Sequence, residues 1–117
     1  MYEYLANVAR IIDGDTIDFD IDLGFTTWKH TERIRLYGID APEVKKYKGV
    51  TDEEKQRGLD LKARLEELMP LGSPVVLRTV KDNKGKYGRY LGIVTLPSGI
   101  ILNDWLTSEG LVEEKYY

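Results

Sequence analysis

The N-terminal part of the chain alternates apolar and polar side chains at the spacing of β-strands. Residues 5–12 are a candidate first strand with Val8, Ile11 and Ile12 as apolar positions, and Asp13-Gly14 after it is typical of a tight hairpin turn. Beyond the turn, the apolar positions are Ile17, Phe19, Ile21 and Leu23, and the polar positions between them are Asp18, Asp20 and Asp22. This alternation predicts a half-buried second strand with a solvated outer face.

Asp15 departs from this pattern because it has the parity of the apolar face. Either the alternation begins only after Thr16, or the Asp15 carboxylate points to a partner, for which a cation would serve. The residues alone leave both interpretations open. Residues 24–31, which contain Trp28, are expected to form a loop or a distorted strand end.

The third predicted strand, residues 33–39, ends in a turn that carries charged side chains. Pro42 cannot continue a strand ladder, so the chain leaves Asp40 and Glu43 on a stiff corner, with Arg35 earlier on the same strand. A cation and two anions held in this way suit a phosphate that is bound through a metal ion. An ordinary turn beside a solvated strand arginine is the alternative interpretation.

A helix is predicted from a capping box at residues 51–54 as far as Met69. Its apolar stripe comprises Leu61, Leu65 and Leu68. Gly58, within the helix, is interpreted as a weak point because glycine lowers helix propensity.

Two further strands, over residues 75–80 and 90–96, and a short helix over residues 101–109 follow, with 111–117 as a tail. Five strands with a helix between the third and fourth, and a short C-terminal helix, are the element order of a mostly β, five-stranded OB-fold barrel. The length of 117 residues fits one domain spanning residues 1–117.

The amino-acid composition excludes several kinds of metal site in this domain. The chain has no cysteine and His30 is its only histidine, which excludes thiolate metal sites and zinc sites built on several histidines. The net charge of −3 argues against nucleic-acid binding by bulk electrostatics. Charge is unevenly distributed, however: residues 13–22 carry five aspartates, and residues 78–90 carry five basic side chains against one acid. The contrast is compatible with a metal-binding edge beside an anion-binding edge, and equally with two solvated loops.

The sequence contains no apolar run long enough to span a membrane, and its N-terminus lacks a signal-peptide pattern. We therefore expect no membrane partner. The expected location is the cytoplasm for the chain as it stands, or outside the cell if a leader has been removed.

A third charged motif is Lys86-Tyr87-Gly88-Arg89. Its simple interpretation is a basic loop tip with a turn glycine. Its functional interpretation places the planar guanidinium of Arg89 on a phosphate, with added charge from Lys86 and a contact from Tyr87 to a sugar, base or phosphate.

Three blocks of the chain together resemble the signature blocks of the staphylococcal nuclease (thermonuclease) family. They are Ile-Asp-Gly-Asp-Thr at residues 12–16, Arg-Leu-Tyr-Gly-Ile-Asp-Ala-Pro-Glu at 35–43, and Lys-Tyr-Gly-Arg at 86–89. They occur in the order of the family and at nearly its spacing, and the resemblance covers about residues 5–112. It implies an OB-fold and a calcium-dependent phosphodiesterase that acts on DNA and RNA and leaves 3′-phosphorylated products.

The resemblance also implies a metal site. Asp15 and Asp40 correspond to side-chain ligands of calcium, and Ala41 stands where the family offers a backbone carbonyl to the metal. Calcium is implied by the resemblance alone, because oxygen ligands would also accept magnesium or manganese.

The same resemblance implies roles in catalysis and substrate binding. Glu43 corresponds to the residue that positions or deprotonates the attacking water, and Arg35 and Arg89 correspond to the pair that neutralises the phosphate. The residues matching those that line the nucleotide pocket are Lys86, Tyr87 and Tyr116. The expected substrate is single-stranded DNA or RNA.

Two departures from the family pattern shape the remaining expectations. The last helix of the family, which follows residues 110–111, has no counterpart, so the lower face of the barrel is expected to be less covered, or covered by a second subunit in an oligomer. The loop after Glu43 is rewritten but still basic.

The alternative function is a non-catalytic OB-fold module that binds nucleic acid or a protein partner. Tyrosines such as Tyr87, Tyr90 and Tyr116 would supply part of a stacking platform for it. Degenerate nuclease-like domains typically lose the acidic and arginine residues of the motifs, whereas this chain retains them, which favours catalysis. A purely structural barrel is disfavoured by the joint occurrence of the three blocks.

Overall fold

The computed structural model describes residues 2–45, 48–80 and 90–115 of the chain. In chain order the elements are β1 (Tyr2–Asp13), β2 (Thr16–Asp22), β3 (Trp28–Leu36), β4 (Ile39–Asp40), α1 (Asp52–Leu68), β5 (Pro74–Val80), β6 (Tyr90–Thr95), α2 (Leu102–Ser108) and β7 (Glu113–Glu114). Neither helix in these ranges has both the length and the apolar character needed to cross a bilayer.

Five of the strands close into a barrel in the order β1-β2-β3-β6-β5. Neighbouring strands run antiparallel except β3 and β6, which pair in parallel. The long helix α1 lies between the β3–β4 segment and β5 in the chain, and the short helix α2 follows β6. The predicted five-stranded OB-fold barrel is therefore confirmed, with its third strand divided by a turn into β3 and β4.

The core of the barrel is built from the inward positions of the alternating strands. Ile17, Phe19, Ile34, Leu77 and Val94 are fully buried there. Both helices add apolar side chains to the same core, namely Leu61 and Leu65 from α1, Met69 at its C-cap, and Leu102 and Leu106 from α2. Burial of these faces holds the helices against the barrel, since apolar area removed from water is the main stabilising term.

Some strands are longer than their sequence patterns suggested. β1 begins at Tyr2, where Tyr2 pairs with Thr79 of β5. β3 begins at Trp28, which pairs with Asp22 of β2. Of residues 24–31, expected to be a loop or a distorted strand end, 24–27 form a loop and 28–31 belong to β3. Residues 113–114, expected to be part of a tail, pair with β4 as β7. In each case the partner strand supplies backbone hydrogen bonds that the local sequence does not reveal.

Two side chains of the predicted second strand lie differently from the prediction. Asp18 was predicted to be solvated but is 2% exposed, because Arg33 on β3 covers it and donates to it from Nε at 2.9 Å and Nη2 at 3.3 Å. Leu23 was predicted to face the core but is exposed, because β2 ends one residue earlier and the chain turns away.

The start of α1 confirms the prediction, since the Thr51 hydroxyl accepts a hydrogen bond from the Glu54 N–H at 3.1 Å. Near its end, Leu68 is exposed and Met69 is buried, so the apolar stripe shifts by one residue.

Gly58, interpreted as a weak point for helix propensity, has a packing role that the sequence did not reveal. This glycine is buried against the carbonyl groups of Pro42 and Glu43, and a Cβ there would lie 2.2 Å from the Glu43 oxygen. Gly58 therefore lets the charged corner rest directly on the helix.

Helix α2 ends as predicted, with Gly110 at φ +70° just beyond it. Its Asn103 is buried and ties the helix to the barrel. The Asn103 amide donates to the Tyr37 carbonyl at 2.9 Å and to the Gly92 carbonyl at 3.0 Å, and accepts from Val94 N–H at 3.1 Å. These bonds fix the turn between β3 and β4, from which the charged corner projects.

Candidate active site

The Arg35 guanidinium lies at the centre of the charged corner. Its Nη1 is 2.8 Å from Asp15 Oδ2, and its Nη2 is 3.3 Å from Asp40 Oδ1. Nη2 also donates to the Ile39 carbonyl at 3.1 Å. The Arg35 side chain is only 9% exposed, so its charge requires the paired carboxylates. The structure thus brings together Asp15, Arg35 and Asp40, which sequence analysis had placed in one site.

Asp15 is held at the corner by its own hydrogen bonds. Its Oδ2 accepts from the Ala41 N–H at 2.9 Å, and its Oδ1 accepts from the Thr16 hydroxyl at 3.0 Å. Its backbone carbonyl accepts from the Leu36 N–H at 2.7 Å. Of the two interpretations of Asp15, the structure therefore supports a carboxylate that points to partners. They are Arg35 and the backbone of Ala41.

Gly14 makes this close approach sterically feasible. A Cβ at Gly14 would lie 2.4 Å from a methyl carbon of Leu61 and 2.8 Å from the Ala41 Cβ. The turn between β1 and β2 can therefore sit against both α1 and the segment after β4 only because residue 14 has no side chain.

Asp13 is a site residue that sequence analysis missed. Its carboxylate accepts from the Asp15 N–H at 3.1 Å. Burial raises the pKa of Asp13 to about 7, helped by the side-chain hydrogen bond and the charge of Asp15. The signal was present in the sequence, because Asp13 and Asp15 flank the same turn glycine.

The pKa of Asp15 moves in the opposite direction. Burial acts to raise it, but hydrogen bonds from Asp13 and the Ala41 N–H, together with the charge of Arg35, hold the pKa of Asp15 below its ordinary value. The site thus keeps Asp15 ionised beside a more weakly acidic Asp13. Environments that push the pKa values of two neighbouring carboxyl groups apart are frequent at functional sites.

Glu43 follows Pro42 at the outer side of the corner and is exposed. Partial burial raises the pKa of Glu43, and the negative charges of Asp15 and Asp40 raise it further. The carboxyl group therefore lies within electrostatic reach of both aspartates. A carboxylate whose pKa is raised accepts protons more readily, as a general base must.

Two further elements border Asp40. The β4–β7 pairing brings the C-terminal segment alongside, and Lys115 Nζ lies 4.0 Å from Asp40 Oδ2. Asp40 and Ala41 also open onto a cleft of about 230 Å³. Its other lining residues are Pro42, Glu54, Arg57, Gly110, Leu111, Val112 and Glu113. Sequence analysis missed Lys115 and this cleft because both depend on contacts between distant parts of the chain.

The donors at the corner fit a hard cation. Within residues 2–45, 48–80 and 90–115, no group of three or more histidine or acidic side chains is arranged to hold a metal ion. What the corner offers is two carboxylates, Asp15 and Asp40, that meet on the Arg35 guanidinium. Calcium accepts carboxylate oxygens and completes its shell with water. Burial is the main cause that raises the pKa values of Asp13 and Glu43, and neighbouring carboxylates raise both further. A divalent cation would offset that negative charge.

Four predicted site residues, Lys86, Tyr87, Arg89 and Tyr116, lie outside the described residues. Their roles in phosphate neutralisation and nucleotide binding stay predictions.

Comparison with known proteins identifies the family to which this chain belongs. The family model described as "Staphylococcal nuclease homologue" matches residues 33–117. The chain belongs to the staphylococcal nuclease family, as the three sequence blocks indicated.

Individual relatives are named as nucleases. The chain is 37% identical over 111 residues to a thermonuclease of Staphylococcus intermedius, covering 94% of this chain and 59% of the relative. It is 34% identical over 95 residues to a micrococcal nuclease of Shigella flexneri, covering 81% and 44%. It is 32% identical over 110 residues to endonuclease YhcR of Bacillus subtilis, covering 92% and 9%. The chain thus spans less than two-thirds of the length of each of these relatives.

Proposed function

We propose that the chain is a calcium-dependent nuclease that hydrolyses phosphodiester bonds of single-stranded DNA and RNA and leaves 3′-phosphorylated products. The observation that carries this proposal is the Asp15–Arg35–Asp40 assembly, in which Asp15 and Arg35 are buried and Asp40 is partly exposed, with Glu43 at its outer side. The nuclease names of its relatives support the same reaction class.

In this proposal Asp15, Asp40 and the Ala41 carbonyl hold the metal. When bound, calcium lowers the negative charge of the phosphate that water must approach. Oxygen donors alone would admit magnesium or manganese, so the preference for calcium rests on the family.

The chain's own residues would supply orientation and charge. Arg35 would donate to the phosphate oxygens, and its hold on the Ile39 carbonyl keeps its position fixed. Such preorganised donors stabilise charge that grows in the transition state. Arg89 would be the second donor, and Lys86, Tyr87 and Tyr116 would line the nucleotide pocket.

Glu43 would orient the attacking water and accept its proton. Its exposed position gives it access to water, and the raised pKa of its carboxyl group improves proton acceptance. The bond between phosphorus and the 5′ oxygen of the next nucleotide would break, and that oxygen would take up a proton from solvent to become a hydroxyl. The phosphate would stay on the 3′ side.

The proposal is tested by incubating single-stranded DNA and RNA oligonucleotides with the purified chain, in calcium and in a chelator. The Asp40→Asn variant removes one proposed ligand, and Asp20→Asn, on the same barrel but away from the corner, is the matched control. We expect cleavage that requires calcium, leaves 3′-phosphates by mass spectrometry, is lost in Asp40→Asn and is retained in Asp20→Asn. Binding of single strands without cleavage would instead identify a non-catalytic OB-fold module.

A further inference from the structure

A row of charged side chains crosses the outside of the barrel next to the candidate active site. In strand register, Arg10 of β1 lies opposite Asp18 of β2, and Asp18 lies opposite Arg33 of β3. We call these three residues the charged row. Asp18 at its centre is buried, whereas Arg10 is exposed and the Arg33 side chain is 49% exposed.

Asp18 orients the Arg33 guanidinium and leaves part of it open. The carboxylate accepts from Nε at 2.9 Å and from Nη2 at 3.3 Å. A guanidinium has five N–H donors, so this two-point contact uses one edge and leaves Nη1 and the second Nη2 hydrogen available. Bidentate pairs of this kind fix orientation as well as charge.

The position of Arg33 relative to Arg35 places its open N–H donors where they can contact a second phosphate. The intervening Ile34 and the following Leu36 face the core, so Arg33 and Arg35 share the other face of β3. Two residues along a strand separate their Cα atoms by about 6.7 Å, which is the scale of one nucleotide step along an extended single strand. If one phosphate lies at Arg35, the next phosphate along the strand falls near Arg33.

The charged row interacts electrostatically with the corner and carries excess positive charge. The pKa of the Arg33 guanidinium is raised first by the hydrogen bond and charge of Asp18, and in part by the charge of Asp13 in the corner turn. Among the described residues, Arg10 makes no ion pair. The row therefore has two cations for one buried anion, and a phosphate would neutralise the surplus.

We infer that Arg33, oriented by Asp18 and assisted by Arg10, binds the substrate phosphate adjacent to the one at Arg35. This inference rests on the proposed nuclease function and assigns the chain a preference for substrates with at least two consecutive phosphates. A merely structural Asp18–Arg33 pair would alter stability but would not depend on substrate length.

The test compares two substrates, thymidine oligonucleotides with one phosphodiester and with seven. The double variant Asp18→Asn, Arg33→Gln replaces the ion pair by a neutral hydrogen-bonded pair, so that no buried charge is left alone. Arg78→Gln is the matched control, since Arg78 is also a strand arginine, 51% exposed and 3.9 Å from Glu3. Circular dichroism and thermal unfolding establish that the variants are folded.

We expect the double variant to raise KM about fivefold for the longer substrate, with kcat unchanged, and to leave the single-phosphodiester substrate unaffected. In a chelator, where cleavage is blocked, the dependence of binding on salt should weaken by about 0.7 in log–log slope, the value for one phosphate contact on a single strand. Arg33→Lys, which keeps a charge beside Asp18, should give a smaller rise in KM restricted to the longer substrate, and it replaces the double variant if that variant does not fold.

The inference is overturned if the Arg33 variants match Arg78→Gln on the longer substrate. It is also overturned if both substrates are affected equally, because Arg33 would then act only through Arg35. If the unmodified chain cleaves neither substrate, the proposed function itself fails, and the two failures are therefore distinguishable.

Discussion

The two ends of the β2–β3 pair are both rich in acidic residues, yet they differ in what surrounds the carboxylates. At the corner, the Asp15 and Asp40 carboxylates converge on one buried guanidinium. At the hairpin end, Asp20 accepts from the Thr31 N–H at 2.9 Å and lies 3.3 Å from Nδ1 of the exposed His30. Such exposed pairs contribute little energy because water competes for them. Convergence on a buried Arg35–Asp15 pair, rather than the density of acidic residues, therefore distinguishes the candidate site.

Backbone strain is concentrated at the hairpin end rather than at the corner. At the hairpin end, Gly24, Phe25 and Thr26 have φ values of +84°, +54° and +60°, and the Phe25 side chain is fully exposed. A left-handed conformation is costly for a bulky residue. The corner instead uses Gly14 and Gly58 where two segments approach closely. The corner is thus shaped for precise packing, whereas the hairpin turn tolerates a poorly suited sequence.

The largest effect expected from this comparison is on turnover. Glu43→Gln should reduce kcat on the order of a hundredfold or more, because the side chain loses its ability to accept a proton from water. Glu32→Gln, on β3 toward the hairpin end, is the matched control and should leave kcat nearly unchanged. Steady-state kinetics on single-stranded DNA would measure kcat for both variants. Equal kcat values would show that the corner and the hairpin end do not differ in their contribution to turnover.

A smaller effect is expected from packing beneath the corner. Gly58→Ala normally favours a helix, but here its Cβ would collide with the Glu43 carbonyl. We expect a loss of about 2 kcal/mol in unfolding free energy and a reduced kcat, because Glu43 must shift. Chemical denaturation and kinetics would test this, with the exposed Glu66→Ala on the same helix as control. A stabilised Gly58→Ala variant would show that the corner does not rest on the helix as described.

The smallest effect concerns the hairpin end. The double variant Phe25→Asn, Thr26→Gly introduces the pair that the turn geometry prefers, and should raise the unfolding free energy by about 1 kcal/mol. Phe25→Ala removes the aromatic ring but keeps a side chain with positive φ, so it should gain much less. Neither variant should alter kcat. A change in kcat comparable to that of the corner variants would mean that the hairpin end takes part in the reaction.

Local patterns predicted the elements whose determinants lie close together in sequence. The alternation of β2, the Thr51 cap of α1 and the Gly110 stop of α2 each depend on neighbouring residues, and each was found in the structure. Alternation failed at Asp18, because its burial depends on Arg33, which is 15 residues away.

In the candidate site, too, local motifs were predictable and long-range contacts were not. Asp15, Arg35, Asp40 and Glu43 were named from motifs, but their arrangement depends on contacts such as the Ala41–Asp15 hydrogen bond across 26 residues. Lys115 reaches Asp40 only because β7 pairs with β4, a pairing between strands too short to leave a sequence pattern.

The measurement that tests the central claim most directly is a calcium titration followed by thermal unfolding. A ligand that binds only the folded state at a hundred times its Kd adds about 2.7 kcal/mol to the unfolding free energy. We predict that calcium raises the Tm of the unmodified chain and of Asp20→Asn, but not that of Asp40→Asn. If calcium left the Tm of the unmodified chain unchanged, or raised it equally in all three proteins, the corner would not be the metal site.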